Sequence, residues 1–372
     1  MENFVVSARK YRPQGFEEVV GQSHITTTLK NAIDNNHLAQ ALLFCGPRGV
    51  GKTTCARILA RLINKFEDKD LMESSNSLNI YELDAASNNS VEDIRNLIDQ
   101  VRYPPQQGSF KVYIIDEVHM LSNQAFNAFL KTLEEPPSYA IFILATTEKH
   151  KVIPTILSRC QIFDFNRIEI EDITYQLKKI ADQEKIEVED EALHLIAQKA
   201  DGALRDALSI FDLIVTFSSD GKVTYQDTIK NLHVLDYDYF FKVTQQLNES
   251  KISQVLLLYD EILREGFDGH NFVVGLSEHF RNVMVCKDPE TVKLLNVSDG
   301  VKSKYLDQAK NISLSFLMSG LNVLNTADLQ YKSSKNQRLH VELALMKLAY
   351  LEQAFHLASN HSEALKKKAI VK

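Results

Sequence analysis

Five short apolar runs alternate with helical patterns over the first 165 residues, and that alternation limits the fold more than any other feature. The runs are "ALLFC" (41–45), "IYELD" (80–84), "KVYIID" (111–116), "AIFILATT" (140–147) and "QIFDF" (161–165). Each reads as a strand. Between them, residues 51–64, 91–102 and 123–135 carry helical spacing. Ser90 stands where an N-cap would open the second of these helices, with Asp93 three residues on, a variant of the capping box. Strands that alternate with helices imply a parallel sheet covered on both faces.

After about residue 167 the strand signals fade. Residues 171–184, 189–200 and 203–217 read as short amphipathic helices, with Gly202 between the last two. From about 231 the pattern stays helical and includes a long candidate at 338–358, apolar over much of its circumference. The final "ALKKKAIVK" reads as a frayed, solvated end. There is no internal repeat and no low-complexity linker. The expected class is therefore α/β followed by all-α.

Composition narrows the function classes. The chain has 372 residues, enough for two or three domains, with 44% hydrophobic and 24% charged residues. No apolar run approaches the roughly 20 residues that span a membrane, and "MENFVVSARKYRP" lacks the apolar stretch of a secretory signal. The expectation is a cytoplasmic protein with no membrane partner. Cys45, Cys55, Cys160 and Cys286 are too scattered for a disulfide framework and read as small buried residues. A net charge of −7 argues against wrapping nucleic acid over the whole surface. A local basic site remains open, because residues 1–60 hold seven Lys/Arg against four acids.

The chemistry concentrates in two segments. "GPRGVGKT" (46–53) follows a strand and opens a helix, the context a phosphate loop requires. Gly46, Pro47, Arg48, Gly49, Val50, Gly51 and Thr54 belong to this cradle, where backbone N–H groups and a helix N-terminus would meet phosphates. Lys52 would reach the β- and γ-phosphates of ATP, and Thr53 would hold Mg²⁺. In "VYIIDEVH" (112–119), Asp116 ends a buried strand and would also serve Mg²⁺. Glu117 would orient and polarise an attacking water. The bland alternatives are a glycine turn for the first segment and an acidic helix cap for the second.

Three further positions invite a role. Thr146 and Thr147 end a parallel strand, where hydroxyls face a ligand crevice, and one of them could sense a γ-phosphate. Arg205 in "DGALRDALS" opens a helix after Gly202, with a surface ion pair to Asp201 or Asp206 as the competing reading. Arg159 in "PTILSRCQIF" has apolar neighbours and no acid close by in sequence. A guanidinium is the best planar phosphate binder among side chains. Its competing reading is a structural pair with Asp164 or with an acid elsewhere.

Taken together, "RKYRPQGFEEVVGQ", "GPRGVGKTT", "ELDAASNNSVEDIR", "KVYIIDEVHMLSNQAFNAFLKTLEEPP", "LATTEKHKVIPTILSRC" and "GALRDALS" resemble the gamma/tau family of bacterial DNA polymerase III. That family supplies the AAA+ ATPase of the sliding-clamp loader. The strong matches cover about residues 5–215, with weaker helical similarity toward 360. The resemblance implies an AAA+ domain over 1–167, a helical lid over 168–230, a helical collar over 231–360 and a flexible tail over 361–372. It also implies an ATPase that loads the clamp onto primed DNA, within a DNA-directed DNA polymerase holoenzyme but not as its polymerising subunit. Arg12, Pro13, Val19 and Val20 would surround the adenine. Arg205 would be the lid arginine near the γ-phosphate, and Thr147 or Thr146 the sensing hydroxyl. Ser158-Arg159-Cys160 matches the family's finger motif. The implied partners are delta, delta prime and further gamma/tau copies, the beta clamp and primer-template DNA. Lys149, Lys151 and helix N-termini are candidate DNA contacts.

Two departures stand out. The family usually carries a four-cysteine zinc module, yet "KFEDKDLMESSNSLN" (65–79) has neither Cys nor His, so no zinc is expected. Longer forms continue past the collar, so the likeness is to the shorter form or to part of a longer one. A non-hydrolysing scaffold subunit of the same ring is one alternative. Another AAA+ machine, such as a branch-migration motor or an unfoldase, is a second, though two prolines stiffen the only pore-loop candidate, "YPPQQGSF" (103–110).

Overall fold

The computed structural model describes residues 5–64, 79–105, 109–218, 221–232, 236–295, 297 and 299–351. The segment 65–78, which carries nearly all of the zinc-module departure, lies outside the described residues, as do 106–108 of the pore-loop candidate and the whole tail. The chain divides into two compact units, Met1–Val223 and Thr224–Lys372.

In the first unit, β1 (Ala41–Cys45), β2 (Ile80–Asp84), β3 (Lys111–Asp116), β4 (Ala140–Thr146) and β5 (Gln161–Asp164) form one sheet in the order β2-β3-β4-β1-β5. Every pairing is parallel. All residues of β1 and β4 are buried, as central strands covered on both faces must be. Side-chain alternation sorts them between two cores. Leu42, Phe44, Ile114 and Ile143 pack on one side with Leu29 of α2 (Ser23–Asp34) and Leu59 of α3 (Lys52–Asn64). Leu43, Tyr113, Phe142 and Leu144 pack on the other with Leu97 of α4 (Val91–Val101) and Phe129 of α5 (Asn123–Glu134). The expected capping box forms: the Asp93 amide donates to Ser90 Oγ at 3.2 Å, and the Ser90 amide donates to Asp93 Oδ2 at 3.1 Å.

Three helices follow, α7 (Ile170–Glu184), α8 (Asp190–Lys199) and α9 (Leu204–Phe217), after the short α6 (Pro154–Leu157). One expectation is corrected here. Strand structure does not end with the main sheet, because β6 (Glu187–Val188) pairs in parallel with β7 (Lys222–Val223). The N-terminal α1 (Ser7–Lys10) ties this helical part down: the Ser7 amide donates to Asp212 Oδ2 at 2.7 Å, and Lys10 and Tyr11 both bond Glu184.

The second unit is helical. It comprises α10 (Tyr225–Leu232), α11 (Tyr237–Asn248), α12 (Ile252–Arg264), α13 (Gly269–Val285), α14 (Asp299–Asn311), α15 (Leu314–Tyr331) and a last helix over 337–351. Phe240, Tyr259, Phe272, Phe280, Phe316 and Leu348 belong to its buried core. The last helix covers the first part of the expected 338–358 stretch, and the remainder is not described. No helix among the described residues is long and apolar enough to cross a membrane.

Candidate nucleotide site

The loop after β1 is shaped by glycine. Gly46, Gly49 and Gly51 have φ of 148°, 77° and 105°, values that disfavour any side chain. A β-carbon on Gly46 would stand 2.4 Å from the Phe165 carbonyl, so the backbone here passes tightly by the end of β5. The Gly46 amide donates to the Thr146 carbonyl at 3.2 Å, which joins the loop to β4 on its other flank. With α3 starting at Lys52, the loop runs directly into a helix N-terminus, whose free N–H groups suit anionic oxygens.

Lys52 is 6% exposed, and its ammonium donates to the carbonyls of Gly46 and Pro47, both at 2.7 Å. Burial pushes its pKa down, while the negative charges of Glu117 and Asp116 oppose that shift. Thr53 Oγ1 donates to Asp116 Oδ2 at 2.7 Å across 63 residues of sequence. A hydroxyl beside a carboxylate offers hard oxygen ligands, the kind Mg²⁺ takes together with phosphate oxygens and water. Among the described residues, no group of three or more His, Cys, Asp or Glu side chains could hold a metal ion by itself.

Glu117 follows Asp116 in the left-handed region, with φ of 48°. Its Oε2 accepts from the Thr147 amide at 3.1 Å and from Thr147 Oγ1 at 2.9 Å. Thr146 instead is fully buried, and its Oγ1 sits 3.0 Å from His119 Nδ1 and accepts from the Glu148 amide at 3.0 Å. The two hydroxyls therefore do different things. Thr147 touches the acid at the site, while Thr146 anchors the turn behind it. His119 and Glu148 belong to this cluster and went unread in the sequence. Only their places just after β3 and β4 are visible in the sequence, and their contacts are not.

The other sequence candidates divide by location. Arg205 comes to the loop, where its amide donates to the Gly49 carbonyl at 3.4 Å. Neither expected acid pairs with it, because Asp201 bonds Arg167 and no ion pair to Arg205 exists among the described residues. Val19 lies beside the loop, 3.9 Å from where a β-carbon on Gly51 would stand. Arg12, Pro13 and Val20 are half-buried on the same segment. Arg48 points into solvent, and Thr54 is half-buried on the first turn of α3. Arg159 is elsewhere. It precedes Gln161, which pairs with Leu42 near the amino end of β1, whereas the loop leaves the carboxyl end. One strand of four residues, about 13 Å, separates the two ends. Its guanidinium bonds Glu134 Oε1 at 2.5 Å and the Thr155 carbonyl at 2.8 Å. Asp164, the acid nearest in sequence, is taken by Lys149.

A parallel sheet in this order, with a phosphate-type loop after its fourth strand position and a helical lid laid on that loop, defines a P-loop fold of the AAA+ class. Comparison with known proteins narrows the class. Residues 21–169 match the family model described as DNA polymerase III, delta subunit. Residues 172–220 match the clamp loader subunit ATPase lid domain, and 223–362 match domain III of DNA polymerase III subunits gamma and tau. The chain is 39% identical to Bacillus subtilis DNA polymerase III subunit tau, over 91% of this chain and 62% of that protein. Against the Escherichia coli tau subunit it is 37% identical, over 95% of this chain and 56% of that one. Against the DNA polymerase III subunit gamma of Buchnera aphidicola it is 33% identical, over 93% of this chain and 97% of that protein. The chain belongs to the gamma/tau family of DNA polymerase III subunits. It spans a little over half the length of the two tau subunits.

Proposed function

We propose that this chain is an ATP-hydrolysing motor subunit of the DNA polymerase III clamp loader, acting when the sliding clamp is placed on primed DNA. The observation that supports the reading is the Thr53–Asp116 contact beside Lys52 and Glu117 at one end of the sheet, where a phosphate cradle, a cation seat and an acid would stand together. Lys52 would exchange the Gly46 and Pro47 carbonyls for β/γ-phosphate oxygens. Thr53 and Asp116 would hold Mg²⁺, which neutralises charge developing on the phosphate oxygens. Arg205 would reach the γ-phosphate from the lid, and Thr147 would report its state to Glu117. Glu117 would align water on the γ-phosphorus and take its proton as the new P–O bond forms and the bond to ADP breaks, leaving ADP and inorganic phosphate.

Arg12, Pro13, Val19 and Val20 form the proposed adenine side. The phosphate-loop part would cover residues 1–167, the lid 168–230 and the collar 231–360. Delta, delta prime and further gamma/tau copies are the proposed neighbours, with the beta clamp and primer-template DNA as the objects acted upon. Arg159, remote from its own loop, is proposed to serve a neighbour's ATP.

Lys52→Ala should weaken binding of a fluorescent ATP analogue and lower turnover on the order of 10²-fold or more. Both are measured in the reassembled loader with clamp and primed DNA. Equal affinity and turnover in the variant would remove the phosphate-loop assignment. A wild-type chain that binds ATP without turnover would instead mark a scaffold subunit.

A further inference from the structure

His119 sits in the 3-10 turn Val118–Met120, directly after the acid pair, with a side chain only 6% exposed. Its Nδ1 lies 3.0 Å from Thr146 Oγ1 and 3.3 Å from Glu117 Oε2. The opposite ring nitrogen, Nε2, lies 3.4 Å from Glu148 Oε1. Glu148 is itself held twice, by its amide on Thr146 Oγ1 at 3.0 Å and by Lys151, which donates to Oε1 at 2.8 Å. One imidazole thus joins the carboxyl ends of β3 and β4 and touches the acid that Thr147 already grips.

The chemistry of Glu117 explains why such a tie matters. An acid that takes a proton from water in the transition state works only when its carboxylate keeps a fixed direction. Glutamate has three side-chain torsions, and its left-handed backbone here sets only where they begin. Thr147 restrains Oε2 from β4 through two hydrogen bonds. His119 stands beside the same oxygen from its own turn, and the hydrogen-bond-length contact of its Nδ1 with Thr146 Oγ1 fixes the short planar ring against β4. The buried ring covers one side of the Glu117 carboxylate, whose side chain keeps 29% of its surface open to solvent.

We propose that His119 is a positioning residue for hydrolysis, holding the Glu117 carboxylate in line and anchoring it through Glu148 to the turn at Lys149–Lys151. It makes and breaks no bond itself. The inference rests on the reading of Glu117 as the residue that activates water.

The test compares wild type with Glu117→Gln, His119→Ala, His119→Asn, His119→Gln and the double variant Glu117→Gln/His119→Ala in the reassembled loader. Turnover number, affinity for a fluorescent ATP analogue and Tm are read for each. His119→Ala should lower kcat about 10- to 100-fold while nucleotide affinity changes by less than about twofold. Asparagine, whose amide can stand near the Nδ1 position, should recover more than about a third of that loss, and more than glutamine does. Adding His119→Ala to Glu117→Gln should cost nothing further, because both act on one group. A His119→Ala kcat within about twofold of wild type overturns the inference, as does a parallel fall in affinity or a further loss in the double variant. If the alanine variant does not fold, equal rates for asparagine and glutamine overturn it. Glu117→Gln at the wild-type rate would remove the reading of Glu117 and this inference with it. An impaired Glu117→Gln beside an unimpaired His119→Ala would remove this inference alone.

Discussion

Gly49 is the residue on which the lid and the loop meet. Its φ of 77° already disfavours a side chain, and a β-carbon there would stand 2.9 Å from Ala203 Cβ and 3.4 Å from Arg205 Cβ. Those two atoms belong to the entrance of α9, so a methyl group cannot be added without moving the helix that carries Arg205. Gly49→Ala should lose about 1–2 kcal/mol from left-handed strain alone. It should also weaken ATP-analogue binding several-fold, because Arg205 is displaced with the helix. Thermal unfolding and nucleotide titration check both parts. A variant with wild-type Tm and affinity would show that α9 yields freely. Adjacent residues can also split their work. Thr146 and Thr147 carry the same hydroxyl, and only the contacts at the ends of β3 and β4 separate the anchor from the group on Glu117.

Single elements carry their own titration behaviour. On α13, His279 is 1% exposed, with Nδ1 3.1 Å from Tyr305 Oη and Nε2 2.7 Å from Gln308 Oε1 of α14. Burial pushes its pKa from 6.5 down to about 4, and the Gln308 contact opposes that fall only in part. The folded unit therefore prefers the neutral ring, while the unfolded chain takes up a proton near pH 6.5. Stability from this group is complete above about pH 6.5 and is lost as pH falls toward 4, by an order of magnitude of 3 kcal/mol. Urea unfolding of wild type and His279→Gln at several pH values should show the wild type losing stability relative to the variant over that window. Parallel curves would remove the assignment. At the same scale, α4 was legible because a capping box is a local device, with Ser90 and Asp93 three residues apart. The pairing of β6 with β7 was not, because strands of two residues are too short to show a period.

At the scale of the molecule, Arg159 tests whether the chain works alone. Its pair with Glu134 joins side chains 33% and 48% exposed, an arrangement worth under about 1 kcal/mol. Removing it should hardly disturb the fold. An arginine supplied to a neighbour's phosphate can instead contribute on the order of 10³–10⁵ in rate. Arg159→Ala should therefore keep Tm and ATP binding close to wild type and lose most of the hydrolysis stimulated by clamp and primed DNA in the reassembled ring. Retained stimulation with a lowered Tm would assign the arginine to its own fold through Glu134.

The sequence by itself determined the alternating strands and helices and the glycine loop, with Lys52 and Thr53 at the start of α3, Asp116 at the end of β3 and Glu117 next to it. Each of these depends on backbone torsion or on side-chain period, quantities a few neighbouring residues settle among themselves. The tertiary structure alone decided which acid takes Arg159, since Glu134 lies 25 residues away on another element while the nearer Asp164 is held by Lys149. It also decided that Thr147, and not Thr146, touches Glu117, and that His119 joins them. Such contacts form only when separate strands end side by side, so through-space distance chose partners that no local spacing encodes.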